Sequence, residues 1–234
     1  MRIAGSVALV TGSTRGVGRL FARQLLERGA AKVYATARRP DLIDLPGAHA
    51  LRLDVTDPAD VDAAAKVADD VTLVINNAGV AGFQNLLTGD LAVLREEMEV
   101  MYWGALGVAR AFAPVLRRNG GGAILNVLSR ASWRANPAGT SYHVAKAAEW
   151  ALTNGLRLEL VAQHTQVSGV HFAQADTDMI AHLDVPKSDP ADVVRIALDG
   201  LEAAQPEIIV DEATRRTKAV LASDPSVIYP QLAG

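Results

Sequence analysis

Residues 6–18 read SVALVTGSTRGVG, and this stretch constrains the fold more than any other in the chain. SVALV is a short run rich in valine and leucine with glycines close by, the pattern of a buried strand. It leads into Gly16–Arg28, where Val17, Leu20, Phe21, Leu25 and Leu26 recur at helical spacing and Gly29 supplies the stop. Gly12, Gly16 and Gly18 stand where strand passes to helix. Glycine allows backbone turns that a Cβ blocks, and it lets a diphosphate approach the main chain. The helix beyond offers free N–H groups and the positive end of its dipole. Glycine clusters often serve turning or packing alone. Placed between a buried strand and a helix start, this one is a nucleotide-binding candidate.

The same alternation continues to the end of the chain. Strand patterns fall at 32–36, 48–53, 71–76, 122–129, 167–172 and 207–210. Helical periods fall at 58–70, about 90–118, 142–163, 189–204 and 212–222. Strands alternating with helices predict a parallel sheet covered on both faces. The expected class is α/β: a single doubly wound Rossmann-type domain with a seven-stranded parallel sheet flanked by helices. A length of 234 residues suits one sizeable core rather than two. The reading is therefore one nucleotide-binding and catalytic domain over 1–234, with a small substrate lid at about 178–188.

Composition removes several function classes. The chain has no cysteine, which excludes disulfides, thiolate catalysis and cysteine-ligated zinc and fits a reducing compartment. None of His49, His143, His164, His171 and His182 pairs at a metal-ligand spacing, so no metal site is expected. A net charge of -3 gives no nucleic-acid footprint. The uncharged stretch Val71–Gly89 contains Thr72, Asn76, Asn77, Gln84, Asn85 and Thr88, too polar for a bilayer. No secretory leader pattern is evident, and a cytoplasmic location is expected.

Tyr142 and Lys146 stand four apart in SYHVAKAAEW, one helical turn, just after the breaker-rich NPAGT of 136–140. A tyrosine with a pKa of about 10 is a poor base near neutrality. A nearby ammonium favours the phenolate. The pair is thus either an incidental helical pair or an acid/base group with the cation that tunes it.

The motifs TGxxxGxG (11–18), NNAG (76–79), NVLS (126–129), YxxxK (142–146) and TDM (177–179) occur in this order. Together the chain resembles the short-chain dehydrogenase/reductase family over roughly residues 6 to 179. The resemblance implies that Gly12, Thr14, Arg15, Gly16, Val17 and Gly18 cradle a nicotinamide dinucleotide. It places Asp54 and Val55 at the adenine, and Asn77, Ala78 and Gly79 along the cofactor. It gives Lys146 the nicotinamide ribose and Thr177 the carboxamide. Tyr142 becomes the acid/base, and Ser129 orients the substrate oxygen. After strand two come Thr36, Ala37, Arg38 and Arg39, with no carboxylate for a ribose 2′-hydroxyl. Arg38, and Arg15 in the turn, suit a 2′-phosphate instead, unless both are simply solvated. NADP(H) is expected over NAD(H), which stays possible.

The implied activity is interconversion of a small-molecule carbonyl (ketone or aldehyde) and an alcohol by hydride transfer. The alternative is an NADP(H)-binding regulator or sensor with impaired catalysis. Nucleic acid and membrane partners are not expected. A homodimer or homotetramer through the helices at 90–118 and 142–163 is.

Three features depart from the family pattern. Met101 stands where an asparagine usually supports a water of the proton relay, so slowed or rerouted catalysis is expected unless the methionine simply fills helix packing. Phe172 and Ala173 replace Pro-Gly after strand six. The C-terminal segment lacks a glycine-rich strand and tail, which argues against a reductase of fatty-acid synthesis. The substrate pocket is expected from 80–88, Arg130–Arg134 and 178–188. Trp133 is either a pocket wall or a core cap. Arg130 and Arg134 either favour an anionic substrate or are solvated.

Overall fold

Seven apolar runs become strands, and the helical periods become the helices between them. A computed structural model of the chain describes residues 1–137 and 139–232. The strands are β1 (Val7–Thr11), β2 (Lys32–Ala37), β3 (His49–Arg52), β4 (Leu73–Asn76), β5 (Gly122–Val127), β6 (Thr165–His171) and β7 (Glu207–Ile209). The helices are α1 (Gly16–Glu27), α2 (Pro58–Val67), α3 (Leu91–Met98), α4 (Ala105–Arg118), α5 (Thr140–Glu159), α6 (Pro190–Glu202), α7 (Glu212–Ala219) and a short α8 (Pro225–Ile228). A π-helical segment, Glu99–Gly104, joins α3 to α4. No helix of the described residues is long and apolar enough to cross a membrane.

All seven strands pair in parallel, in the order β3-β2-β1-β4-β5-β6-β7. Alternate residues of each strand feed opposite layers. Ala8, Val10, Leu73, Ile75 and Leu125 pack with Phe21 and Leu25 of α1 and Val194, Leu198 and Leu201 of α6. Leu9, Val74 and Ile124 pack with Phe112 and Leu116 of α4 and Leu156 of α5. Burial on both faces explains why the central strands read as continuous apolar runs. Strand order reverses between β1 and β4, and ligands of open α/β sheets bind outside the carboxyl ends of the strands at such a point.

The boundaries differ from the sequence reading in ways that matter for the site. Leu128 and Ser129 lie beyond β5, and a 3₁₀ turn, Arg130–Ser132, follows them at once. Helix α5 starts at Thr140, so Tyr142 sits in its first turn. Around the expected lid, Asp178–Ile180 form a 3₁₀ turn. Its neck is held by Asp176 N–H donating to Ser188 O (3.0 Å) and Ser188 N–H donating to Gln174 O (2.8 Å).

Candidate active site

A cleft of about 1400 Å³ opens at the carboxyl ends of the strands. Ser129, Tyr142, Lys146 and every residue expected to hold the cofactor line it: Gly12, Thr14, Arg15, Gly16, Val17, Gly18, Arg38, Asp54, Val55, Asn77, Ala78, Gly79 and Thr177. The three segments expected to form the substrate pocket also reach it, through Val80 and Phe83, Arg130 and Arg134, and Met179 and His182.

The glycine turn is shaped by what it excludes. Gly12 and Gly16 hold φ of +71° and +55°, the left-handed region that favours glycine. Asn77 locks the turn: its Nδ2 donates to Thr11 O (2.9 Å) and Gly12 O (3.3 Å). Thr11 Oγ1 accepts from Asn77 N–H and Ala78 N–H, both at 2.9 Å. No side chain caps the start of α1, and its first turn carries no carboxylate. Its orphan N–H groups and dipole are therefore left for an anion. The uncapped helix and the turn that admits no Cβ fit a dinucleotide diphosphate.

The charged groups beyond β2 and β3 and in the glycine turn are only loosely engaged. Asp54 accepts from Thr56 N–H (3.0 Å) and Thr56 Oγ1 (2.8 Å). Burial works against its carboxylate, but those bonds and the charges of Arg38 and Arg52 hold its pKa below the ordinary value. Arg15 pairs with Asp178 across the cleft at 3.4 Å, with both side chains about three-quarters exposed (75% and 76%). A pair this solvated is weak and leaves Arg15 available.

The reaction-centre candidates are tightly built. Ser129 Oγ accepts from Ala131 N–H (3.1 Å) and donates to Phe172 O (3.4 Å). The replacement at 172–173 is accommodated by Arg130 N–H donating to Phe172 O (2.9 Å) and Ala173 N–H donating to Asp211 Oδ2 (2.7 Å). Half-buried Tyr142 packs against Phe83, with ring centroids 5.4 Å apart. Lys146 Nζ donates to Val127 O (2.8 Å) and to Glu149 Oε2 (2.7 Å).

Electrostatics here differ from the simple pairing of Tyr142 with a cation. Burial pushes the phenol up; Lys146 pulls it down, Glu149 opposes Lys146, and Ser129 adds a smaller downward pull. The net direction is upward, so the lysine alone does not make Tyr142 acidic.

Sequence reasoning missed two carboxylates. Glu149 is fully enclosed beside Lys146. Glu97 is also buried, and its Oε1 accepts from Gly82 N–H (2.7 Å) and Phe83 N–H (3.3 Å), which fixes the loop against Tyr142. Met101, in the π-helical segment, is fully buried and packs against Gly79. Trp133 is a core cap rather than a pocket wall: it is buried and stacks on His171 at 3.9 Å. Among the described residues, no group of three or more His, Cys, Asp or Glu is arranged to hold a metal ion.

Known proteins share both the sequence and the architecture. A family model described as short chain dehydrogenase matches residues 6–187. A 1-deoxy-11-beta-hydroxypentalenate dehydrogenase of Streptomyces exfoliatus is 30% identical, covering 82% of this chain and 75% of its own. A sorbitol dehydrogenase of Cereibacter sphaeroides is 29% identical, covering 81% of each. A crystal structure of a short chain dehydrogenase from Burkholderia cenocepacia in complex with NADP superposes over 100% of both chains, with a TM-score of 0.95 and 38% identity.

Proposed function

The chain belongs to the short-chain dehydrogenase family, and on that premise we propose that it is an NADP(H)-dependent oxidoreductase interconverting a carbonyl and an alcohol. The observation that carries this reading is the shared cleft: Ser129, Tyr142 and Lys146 line the same cavity as the glycine turn. When bound, the reduced nicotinamide supplies the hydride. The chain's own residues do the rest. Ser129 Oγ donates to the carbonyl oxygen and fixes its orientation. The Tyr142 phenol gives its proton to that oxygen as negative charge develops, leaving the phenolate; alcohol oxidation runs the same transfer in reverse. Arg38 and Arg15 would take the 2′-phosphate, and Thr177 the carboxamide. The NADP-bound relative supports this choice of nucleotide.

The substrate end favours a carbonyl compound that carries an acid group. Arg130 and Arg134 line the cleft, and neither has a side-chain hydrogen bond or ion pair among the described residues. Burial lowers the pKa of Arg130 and the like charge of Arg134 adds to this, only partly offset by Asp211. A substrate carboxylate would relieve that repulsion and match the guanidinium fork. Apolar Trp103, Leu158 and Val161 are exposed on neighbouring helical segments and support association into a homodimer or homotetramer.

The test is turnover of a panel of ketones, aldehydes and keto acids with NADPH and NADH. Tyr142→Phe should lower kcat by about 10²–10⁴-fold while NADPH binding is kept. Tight cofactor binding with no turnover on any substrate would point instead to a regulator or sensor.

A further inference from the structure

Tyr142, Lys146, Glu149 and Thr153 fall at intervals of four, three and four residues on α5, so they share one face of the helix. Lys146 and Glu149 form an ion pair whose side chains are only 6% and 2% exposed, at 2.7 Å. The second partner of the ammonium is Val127 O. Two of its three hydrogens are therefore committed away from Tyr142.

We infer that Glu149 is a positioning residue that offsets the charge of Lys146 and so keeps Tyr142 protonated, poising the site for carbonyl reduction. This rests on the oxidoreductase reading above. The pair carries no net charge whichever of its members holds the proton. Burial opposes both charged forms, and the pairing outweighs it for Lys146, whose pKa lies above the ordinary lysine value. Without Glu149, Tyr142 would face an uncompensated ammonium one turn away, which favours the phenolate.

Among the described residues, no other carboxylate pairs with Lys146. The Glu149 carbonyl accepts from Thr153 Oγ1 (2.7 Å), which accepts from Asn126 Nδ2 (2.8 Å), and Asn126 Oδ1 accepts from Asn76 Nδ2 (2.9 Å). That side is wholly uncharged. From β6, His171 faces Lys146; burial lowers its pKa to about 4, so it is neutral at working pH. Its own charged neighbours are Glu207 and Lys218. From α3, Glu97 also favours the protonated phenol, more weakly than Glu149 does, and is itself fixed on Gly82 and Phe83. Arg130 faces His143 rather than the pair.

The experiment titrates Tyr142 directly, by phenolate absorbance of the purified protein minus that of Tyr142→Phe. It also follows the pH profile of reductive kcat/KM. Glu149→Gln should move the tyrosine titration, and the alkaline limb of the profile, down by about one pH unit or more. Lys146→Met should move the titration up. A lone buried ammonium destabilises a fold, so the double variant Lys146→Met/Glu149→Leu gives a second reading with no lone charge. Because the two charges oppose each other at Tyr142, this variant should titrate nearer the wild type than Lys146→Met does. An unmoved titration in Glu149→Gln, or a double variant displaced upward like Lys146→Met, overturns the inference. The absorbance reading needs no substrate. If the titrations move as expected while wild type reduces no carbonyl, the oxidoreductase reading fails and the electrostatic role of Glu149 stands.

Discussion

A Cβ on Gly18 would lie 2.2 Å from the carbonyl oxygen of Gly12 and 2.4 Å from Asn77 Nδ2. Both atoms belong to the locked turn, so neither can give way without opening the turn proposed to cradle the nucleotide. Gly18→Ala should therefore raise the Kd for NADPH at least about tenfold, the effect of losing about 1.4 kcal/mol, as read by nucleotide fluorescence. An unchanged Kd would show that the turn is not the phosphate cradle. Arg38 is exposed and lines the cleft beyond β2. Arg38→Ala should weaken NADPH by about tenfold or more, through loss of a charge-assisted contact, and leave NADH within about twofold. Equal losses for both nucleotides would remove its assignment to the 2′-phosphate. Gly18, Tyr142 and Lys146 can be singled out in the sequence as candidates by residue type and spacing, and all three line the cleft. Glu149 is not singled out in this way. A lysine and glutamate three apart on a helix read as a solvated surface pair, and only burial turns this one into an electrostatic device. The signal lies in the helical stripe that Glu149 shares with Tyr142 and Lys146.

The helix that carries Met101 illustrates what a period can and cannot reveal. The stretch 90–118 reads as one long helix, and the structure keeps it unbroken but inserts the π-helical Glu99–Gly104. Six residues are too few for the apolar pattern to separate a wider turn from a regular one. Such segments occur often at functional sites, because they shift the phase of a helix without ending it. Here the shift buries Met101 against Gly79, and brings Gly104 so close to Val55 that a Cβ would fall 2.8 Å from Val55 Cγ2. Two cleft-lining residues proposed to meet the cofactor, Gly79 and Val55, thus pack against this one segment. Met101 acts there as packing. Met101→Leu should cost less than about 1.5 kcal/mol in urea unfolding and leave kcat within about twofold. Met101→Asn buries an amide in a fully enclosed, apolar contact and should cost about 1–3 kcal/mol. A large fall in kcat for Met101→Leu at unchanged stability would mean that the thioether takes part in the chemistry.

At the scale of the molecule, the sheet order follows from patterns visible in the chain, whereas the polar layer beneath the site does not. Alternating runs predict a parallel doubly wound sheet, and the seven strands pair as that topology requires. The sequence could not say that His171, at the end of β6, would be wholly buried beside Trp133 and Lys218 of α7. It stacks on Trp133, with its Nδ1 3.2 Å from Ser129 O. Lys218 lies over the rings of Trp133 and Trp150 and pairs with Glu207 at 2.6 Å, closing the cluster from α7. Burial lowers the pKa of His171 from 6.5 to about 4. The unfolded chain thus binds a proton between about pH 6.5 and 4 that the folded chain refuses. Stability contributed by the neutral, buried imidazole is full above pH 6.5 and is lost as pH falls through that window. The slope approaches about 1.4 kcal/mol per pH unit, and the loss amounts to about 3 kcal/mol. Urea unfolding measured from pH 7.5 to 4.5 should show this fall in the wild type. His171→Asn, which titrates in neither state, should be less stable at pH 7.5 but visibly flatter toward acid. The two curves should converge as pH drops. Parallel curves would place the acid sensitivity of the fold in other groups.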